Sequence, residues 1–430
     1  MTNSETKKFS QNVSSSYHLE DRNKNVPKLR FKGYNEEWKH LNFKSITTMI
    51  KDGTHGSYND LSEGIPLLSA KDIDNGKVII PDDCRRISLS DYNDIYKNYS
   101  LKINDILLTI VGTIGRVALV SDITNKYAFQ RSVGILRANE YNNPQFILYL
   151  LQTDFIKKQF YSKVNQSAQG GIYLDTLGKI DFKIPTLPEQ EKIASFLTLI
   201  DKKIEKQKEL VELLKKYKRG LLSQIFSQKL RFKDDNGNDY PEWKEKTLGE
   251  VTNNISYGLN AASKAYDGEN KYIRITDIDE TTGKYNNLDI VSPDCDLSDE
   301  YKLKNDDLLF TRTGASTGKT YLYNKNDGKM YFAGFLIKFS IKEEYCSNFV
   351  FYITQTFNYK KWVSIMSTRS GQPGINAKEY SKYKFLCPVY DEQIKISNIV
   401  LKIDNIIEKE TLLLSFYNNY KKGLLQQMFI

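Results

Sequence analysis

The sequence contains few cysteines, few histidines and no long apolar run. Its 4 cysteines are scattered without a C-x-x-C pair, and its 3 histidines do not stand at metal-ligand spacing with them. This pattern excludes an ordinary zinc site and a disulfide framework, and it predicts a reduced, cytoplasmic protein. No apolar stretch approaches the roughly 18 residues that a membrane span needs, and the polar N-terminus lacks a signal-peptide core. We therefore expect no membrane partner, and we interpret residues 1–26 as a disordered tail.

Positive charge and tyrosine are, by contrast, abundant. The 430 residues carry a formal net charge of +9 and include 29 tyrosines against 3 tryptophans. A basic, tyrosine-rich surface suits a polyanion, most often nucleic acid, whereas a lysine-rich composition by itself makes many unrelated proteins basic. The length allows roughly two to four domains, each with a core of its own.

The two halves of the chain repeat one another. KLRFK at 28–32 recurs 201 positions later at 229–233, and the final segments of the halves align at an offset of 203. Such self-similarity predicts two similar units in one chain. The other matching pairs are EEWK at 36–39 with PEWK at 241–244, AKDIDNGK at 70–77 with ITDIDETTGK at 275–284, and NDILLTIVGTIGR at 104–116 with NDDLLFTRTGASTGK at 305–319.

The segment RTGASTGKT at 312–320 is similar to a phosphate-binding loop. That loop needs four residues between its glycines, so that backbone N–H groups curl around a phosphate, but Gly314 and Gly318 enclose only three. In the repeat partner an arginine follows the second glycine, and no Lys-Thr is present. An unrelated ATPase, in which Lys319 would contact nucleotide, is therefore a weak alternative.

The tetrapeptide NPQF at 143–146 is close to the Asn-Pro-Pro-Phe type of signature found in amino-methyltransferases. Its repeat partner, CSNF at 346–349, has no proline. The residues that the two copies share have the spacing of a helix face, and no glycine-rich cofactor loop accompanies them. We therefore interpret Asn143 and Pro144 as a helix start and expect no complete methyltransferase domain.

Each half ends in a predicted long helix, at 185–226 and 388–429. Apolar residues recur at alternating steps of four and three, which is typical of a coiled-coil seam. The predicted seam residues are Ile193, Leu197, Ile200, Ile204, Val211, Leu214, Leu221, Ile396, Val400, Ile403, Ile407, Leu414 and Leu424. Polar residues interrupt both seams at matching positions, including Lys218 and Lys421. We predict that the helices pair with each other, antiparallel, about an internal pseudo-twofold axis. The alternative is that each helix packs on its own domain.

Short β-type runs, glycine turns and short helices make up the rest of each half. This mixture predicts an α/β (α+β) fold with a mixed, twisted sheet in each unit. The halves agree in framework and differ in loops, for example 50–60 against 255–265 and 165–173 against 367–375. Different polar loops on a common scaffold allow one fold to bind two different ligands, and we expect these loops to do so. The competing interpretation is that these segments are ordinary solvated turns.

The order of these motifs resembles the specificity subunit of type I restriction-modification enzymes. The resemblance rests on the duplicated P-x-L-R-F and E-W-K opening, the DID segment, the LL-T and glycine element, the E-Q-x-K-I helix start and the G-LL-x-Q-[IM]-F ending. It implies two target recognition domains, at 27–185 and 229–388, separated by two conserved helices, at 186–228 and 389–430. The helices would pair as a spacer between two domains that read an asymmetric, bipartite DNA site.

The resemblance also implies partners. These are double-stranded DNA, two methyltransferase subunits and two restriction subunits that translocate and cleave DNA. Adenine methylation from S-adenosylmethionine, and cleavage with ATP and Mg²⁺, would belong to those subunits. The chain itself is then non-catalytic, without cofactor or metal. The alternative is a recognition subunit that serves a fused restriction-methylation enzyme of a type II kind.

Polar and basic loop residues are the candidates for DNA contacts, because Gln and Asn suit adenine edges and Arg or Lys suits guanine. We expect no catalytic base at His55, since no carboxylate or nucleophile partner is evident for it. The first-domain candidates are Thr54, His55, Lys71, Thr113, Arg116, Arg131, Gln166 and Gln169. The second-domain candidates are Asn260, Lys264, Arg274, Arg312, Ser316, Lys319, Arg369 and Gln372.

Overall fold

The computed structural model describes residues 25–74, 76–164, 170–280, 282–368 and 372–430. The chain divides into two compact units, Met1–Lys208 with Leu412–Ile430, and Glu209–Thr411. The predicted tail at residues 1–26 lies outside the described residues apart from its last two. Among the described residues, no helix is both long and apolar enough to cross a membrane.

Strands and short helices are mixed along the first half of the chain. Its strands are β1 (Lys39–Asn42), β2 (Thr47–Asp52), β3 (Ile65–Leu68), β4 (Ile73–Asp74), β5 (Lys77–Val78), β6 (Arg86–Ile87), β7 (Ile106–Thr109), β8 (Val117–Leu119), β9 (Ala128–Phe129), β10 (Val133–Ala138) and β11 (Asp181–Ile184). Its helices are α1 (Phe43–Ile46), α2 (Leu89–Ile95), α3 (Pro144–Gln152), α4 (Asp154–Ser162), α5 (Leu174–Gly178) and the long α6 (Leu187–Phe226).

A four-stranded antiparallel sheet in the order β2-β10-β7-β8 is the framework of the first unit. Strand β7 is an apolar run, ILLT, that is buried on both faces. Ile106 and Leu108 share a core with helix α3, whereas Leu107 packs in a second cluster with Leu68 and Phe129. The predicted start of α3 is confirmed. The Asn143 side chain accepts the N–H of Phe146, and Pro144 occupies the first turn, where a missing N–H costs nothing.

The second half repeats the strands of the four-stranded sheet and the helices α3 to α6 in the same order. Its strands are β12 (Lys244–Thr247), β13 (Thr252–Tyr257), β14 (Ser263–Ala265), β15 (Lys271–Ile273), β16 (Val291–Pro293), β17 (Asp307–Thr311), β18 (Thr320–Leu322), β19 (Met330–Phe332), β20 (Leu336–Ile341) and β21 (Lys384–Cys387). Its helices are α7 (Ser347–Ile353), α8 (Phe357–Met366), α9 (Ala377–Ser381) and the long α10 (Tyr390–Met428).

The sheet of the second unit repeats that of the first. Its order is β13-β20-β17-β18, and β12 pairs with β21 as β1 pairs with β11. Each unit also contains a parallel strand pair, β3 with β9 and β15 with β19, so both antiparallel and parallel neighbours occur. The predicted duplication and the mixed α/β class are therefore confirmed.

The two long helices have 40 and 39 residues. In the first unit, Leu197 near the start of α6 shares a core with Met428 at the end of α10. In the second unit, Ile225 at the end of α6 shares a core with Ile396 near the start of α10. The start of one helix thus packs with the end of the other, as an antiparallel pair requires. Every predicted seam residue is buried or half-buried, so the paired helices are confirmed, and their ends also complete the domain cores.

A buried carboxylate fastens the opening of each domain to the start of a long helix. Arg30 Nε donates to Glu189 Oε1 at 2.8 Å, and Glu189 is 1% exposed. In the second unit, Arg231 Nε donates to Glu392 Oε1 at 2.9 Å. Glu392 Oε2 also accepts the indole N–H of Trp243 at 3.0 Å. The arginine of the duplicated opening motif therefore recurs because it builds this joint, to which the tryptophan adds a hydrogen bond in the second unit only.

The lysines that interrupt the predicted seams lie in polar networks. Lys218 Nζ is 2.6 Å from Asp404 Oδ1 and donates to Gln355 Oε1 at 2.8 Å. The other oxygen of Asp404 accepts from the Tyr352 hydroxyl at 3.0 Å. Burial lowers the pKa of Lys218, and Asp404 counteracts this effect. The first unit repeats the network with Lys421, Asp201, Tyr149 and Gln152. Each network thus ties a domain to both long helices.

Candidate nucleic-acid interface

In each unit, a glycine at one end of the four-stranded sheet lets two backbone segments pass very close to each other. Gly53 follows β2 and Gly258 follows β13, and both pass close to a neighbouring backbone. A Cβ at Gly53 would lie 2.2 Å from the carbonyl oxygen of Phe129, and one at Gly258 would lie 2.3 Å from that of Ala333. Only glycine allows this approach. The crossing brings the segment after the strand next to the loop that follows β9 or β19.

We call the loops around this crossing the loop edge. It comprises residues 52–55, 110–116 and 130–132 in the first unit, and residues 257–260, 312–319, 333–335 and 372–374 in the second. Backbone hydrogen bonds join the loops. The Arg131 N–H donates to Thr54 O, and the Arg312 N–H donates to Phe335 O, both at 3.0 Å. Asn260 is exposed at the end of its segment.

The loop edge of the first unit carries a carboxylate beside a histidine. His55 Nε2 lies 2.7 Å from Asp52 Oδ2, and the His55 side chain is 64% exposed. The expectation that His55 has no carboxylate partner is wrong, because Asp52 stands three residues before it across the glycine turn. The Thr54 hydroxyl is 2.7 Å from the Tyr58 hydroxyl, and Arg131 is exposed. Polar groups of both kinds, donors and acceptors, are therefore presented at this edge.

The loop edge of the second unit is aromatic and cationic. The Arg312 guanidinium carbon lies 5.0 Å from the centroid of the Tyr257 ring. Tyr257 is 42% exposed and Phe335 is 57% exposed. The Gln372 side chain packs over the loop, with Nε2 3.2 Å from where a Cβ of Gly314 would stand. The structure thus brings together the predicted residues Arg312 and Gln372.

The two loop edges place different side chains at the same backbone positions. Strand pairing establishes the equivalence, because Val133 pairs with Thr109 in the first sheet as Leu336 pairs with Thr311 in the second. The equivalent residues are Asp52 and Tyr257, Ile110 and Arg312, and Ser132 and Phe335. An edge with a carboxylate and an edge with a guanidinium suit different hydrogen-bonding partners.

The other first-domain candidates lie nearby or are not described. Lys71 is exposed in a short 3₁₀ turn. Thr113 accepts the Thr109 hydroxyl with its carbonyl, and Arg116 donates to Ile73 O at 3.4 Å. These residues stay predictions as DNA contacts. The candidates outside the described residues are Gln166, Gln169 and, in the second domain, Arg369.

Two second-domain candidates are engaged by carboxylates. Arg274 donates to Asp277 at 2.9 Å and to Asp289 at 3.0 Å, and the hydrogen bond from Asp277 raises the pKa of Arg274 above its ordinary value. Lys264 Nζ lies 3.7 Å from Asp294 Oδ1. The ion pairs of Arg274 hold a 3₁₀ turn in place, so some N–H groups of its guanidinium are already bonded to carboxylates of this chain. Both residues stay predictions.

The loop that is similar to a phosphate-binding loop is closed by its own chain. The N–H groups of Gly314, Gly318 and Lys319 donate to carbonyl oxygens at 2.9, 3.1 and 3.1 Å. Lys319 Nζ lies 3.5 Å from Glu280, and the Ser316 carbonyl accepts a threonine hydroxyl. These three N–H groups are therefore already bonded within the chain and are not directed at a phosphate. In the described ranges, no group of three or more His, Cys, Asp or Glu side chains is placed to hold a metal ion.

Sequence reasoning missed three loop-edge residues. Asp52 and Tyr257 each stand directly before the crossing glycine, and Phe335 follows the last residue of β19 by three positions. The glycine that both halves share could have identified the first two positions. The residue directly before it is an acid, Asp52, in one half and an aromatic residue, Tyr257, in the other. Phe335 offered no such signal, since its partner Ser132 lies in a stretch where the halves share little sequence.

The fold defines a duplicated protein in which each of two similar domains packs with parts of both long helices. A family model described as the type I restriction modification DNA specificity domain matches residues 35–215 and 240–414. The chain belongs to this family. The resemblance to type I specificity subunits is confirmed.

Similar proteins cover nearly the whole chain. It is 22% identical over 416 residues to the type I restriction enzyme StySPI specificity subunit of Salmonella potsdam, covering 92% of this chain and 89% of the relative. The crystal structure of the type I system S subunit from M. genitalium matches with a TM-score of 0.59 at 17% identity, covering 94% of this chain and 99% of that one. A second structure, described as the structural basis of complex assembly and conformational transition of the type I R-M system, matches with a TM-score of 0.55 at 14% identity. The match covers 92% of this chain and 98% of that one. The structures support the fold.

Proposed function

We propose that this specificity subunit reads an asymmetric, bipartite DNA site, one half with each recognition domain. A contrast within the chain carries the proposal. The joints to the long helices recur in both units, whereas the equivalent loop-edge positions hold Asp52, Ile110 and Ser132 in one unit and Tyr257, Arg312 and Phe335 in the other. Different side chains on one frame select different base edges, because each base pair displays its own donors and acceptors in the major groove.

Affinity and discrimination would come from different groups. The sequence has 62 Lys and Arg residues against 53 Asp and Glu residues. Exposed cations bind phosphates regardless of sequence, with an affinity that falls as salt rises. A few loop-edge side chains would then supply the preference for particular bases.

We infer that catalysis resides in partner subunits. Two methyltransferase subunits would use S-adenosylmethionine to methylate adenine, and two restriction subunits would use ATP and Mg²⁺ to translocate and cleave DNA. The loop at residues 314–319 supports this division, because the N–H groups of Gly314, Gly318 and Lys319 are already bonded to carbonyl oxygens. A similar fold has been described in the assembly of a type I R-M system.

The test is co-expression of the full chain with a candidate methyltransferase subunit, followed by sequencing of methylated adenines in the host DNA. We expect one two-part motif with different halves. Exchanging residues 229–388 for the second domain of a related subunit should change one half completely and leave the other half intact.

The matched control is the reciprocal exchange of residues 27–185, which should change only the other half. A stable complex on DNA that yields no two-part motif would contradict the proposal. So would a single exchange that changes both halves.

We further propose that each long helix carries one docking surface for a methyltransferase subunit, which we call the helix stripe. In α6 it comprises Leu213, Tyr217 and Gly220, and in α10 it comprises Phe416, Tyr420 and Gly423. The spacing of four and three places each set on one helix face. The four large side chains are 44 to 63% exposed, and both glycines have open space around them. Glycine weakens a helix interior, but it lets a partner backbone approach closely.

We expect Tyr217→Asp and Tyr420→Asp each to abolish binding of one methyltransferase subunit. Either single variant should bind one methyltransferase subunit instead of two, and the double variant should bind none, because each charge would be desolvated in an apolar contact at a cost of several kcal/mol. Native mass spectrometry measures the stoichiometry. Ser195→Asp is the control, since this exposed residue of α6 lies eighteen residues before Leu213 and far from the stripe. Unchanged stoichiometry in the double variant would refute the assignment.

A further inference from the structure

We propose that Arg312 reads a guanine in the half-site of the second domain, with Tyr257 as its positioning residue and Phe335 as its apolar neighbour. The inference rests on the proposed function, because it assigns one base pair within the site that the second domain would read. It adds the chemical class of that base and two residues that the sequence did not single out.

The side chain of Arg312 contacts the Tyr257 ring but forms no ion pair within the part of the chain that the structure describes. Among the described residues, no carboxylate lies within ion-pair distance of its guanidinium. Its backbone is held on both sides, since its N–H donates to Phe335 O at 3.0 Å and its carbonyl accepts the Ile375 N–H at 2.9 Å. Four other arginines do pair with a carboxylate, namely Arg30, Arg137, Arg231 and Arg274.

Tyr257 holds the guanidinium in an orientation that leaves it able to bind. The ring centroid is 5.0 Å from the guanidinium carbon, and the Tyr257 hydroxyl is itself fixed by accepting the Ala377 N–H at 3.2 Å. A cation–π contact uses the face of the guanidinium and leaves the N–H groups at its edge free. An arginine fixed in this way loses less conformational freedom when it binds.

The surroundings favour a base over a phosphate. A planar guanidinium matches the O6 and N7 acceptors of guanine, which is the commonest specific contact in the major groove. It also matches a phosphate, but the 57% exposed ring of Phe335 lies on the loop bonded to Arg312. An exposed aromatic ring gains nothing from a phosphate, whereas it contacts a thymine methyl in the major groove favourably.

The first domain lacks this arrangement. The position of Arg312 is occupied there by Ile110, which is 3% exposed. The position of Tyr257 is occupied by Asp52, which is 2.7 Å from His55, and a carboxylate repels phosphate and cannot donate to guanine. At these two positions the first domain therefore lacks the groups that the inferred guanine contact needs.

The experiment is methylated-adenine sequencing of host DNA with the full chain and its methyltransferase subunit. Arg312→Ala and Arg312→Lys should both lose discrimination at one G·C pair of the second half-site, by roughly 5- to 150-fold. Lysine keeps the charge but cannot form the two-pronged contact. Tyr257→Leu should lower the discrimination at the same base pair by a smaller factor. Lys325→Ala, which changes an exposed cation of the same domain away from the loop edge, should leave the motif unchanged.

The outcomes separate the inference from the proposed function. If the unaltered chain gives no two-part motif, the proposed function fails, and the inference fails with it. If the unaltered chain gives a motif but Arg312→Lys retains it while Arg312→Ala lowers modification evenly at all sites, Arg312 is a phosphate anchor, and the inference alone is overturned. An unchanged motif in both variants overturns it equally. Thermal unfolding of each variant verifies that lost discrimination does not come from an unfolded domain.

Discussion

Replacing Glu392 by alanine should destabilise the protein strongly, and more than the equivalent replacement of Glu189. Both carboxylates are buried and bind an arginine, so either variant leaves a guanidinium without its partner at a cost of about 3–5 kcal/mol. Glu392 additionally accepts the indole N–H of Trp243 at 3.0 Å. Loss of that hydrogen bond should add about 1–3 kcal/mol. Denaturant unfolding measures the difference.

The duplication supplies the controls for this prediction. Trp38 is the equivalent of Trp243, and its indole N–H is buried without a partner among the described residues. Glu189→Ala therefore removes the arginine contact alone. Glu191→Ala changes an exposed carboxylate in the same helix turn and should cost less than about 0.5 kcal/mol. If Glu189→Ala and Glu392→Ala are equally destabilising, the indole contact contributes nothing.

Alanine at Gly53 or Gly258 should disrupt the loop edge of the corresponding unit. The new Cβ would lie 2.2 to 2.3 Å from a backbone carbonyl oxygen, and a backbone atom cannot move aside as a flexible side chain does. We expect a loss of about 3 kcal/mol or more in unfolding free energy. We also expect loss of specific DNA modification, because the loops are displaced. Calorimetry and methylated-adenine sequencing measure the two effects.

Two other glycines provide a matched comparison. Gly220 and Gly423 lie inside long helices and have nothing within 4 Å of an added Cβ. Alanine there should stabilise the isolated chain by up to about 1 kcal/mol, since alanine is the better helix former. A Gly258→Ala variant that is as stable as Gly220→Ala would show that the crossing does not require glycine.

The duplicated framework could be predicted because its determinants are local or repeated. The apolar spacing of four and three identifies Ile193, Leu197 and their partners without knowledge of the fold. The Asn143-Pro144 start of α3 is likewise readable from adjacent residues. Where two copies carry the same motif, each copy checks the interpretation of the other, which is how the similarity to a phosphate-binding loop was set aside.

The loop edge could not be predicted in detail because its contacts are distant in sequence. Arg312 contacts Tyr257, which stands 55 positions earlier, and its N–H donates to Phe335, which stands 23 positions later. Arg274 was a reasonable candidate from its residue type, yet Asp277 and Asp289 engage it. Residue type indicates which groups are able to bind DNA, whereas only the folded arrangement shows which of them the protein already uses.

The path of the chain through the first unit has a consequence for synthesis on the ribosome. Phe429 packs against Trp38 and Phe146, with ring centroids 6.3 and 5.1 Å apart. The second unit is continuous in sequence, Glu209–Thr411, whereas the first also requires Leu412–Ile430. Since domains fold as they emerge, the later-made unit can be completed first. The apolar surface around Trp38 then stays exposed to solvent until the C-terminal end of the chain has been synthesised.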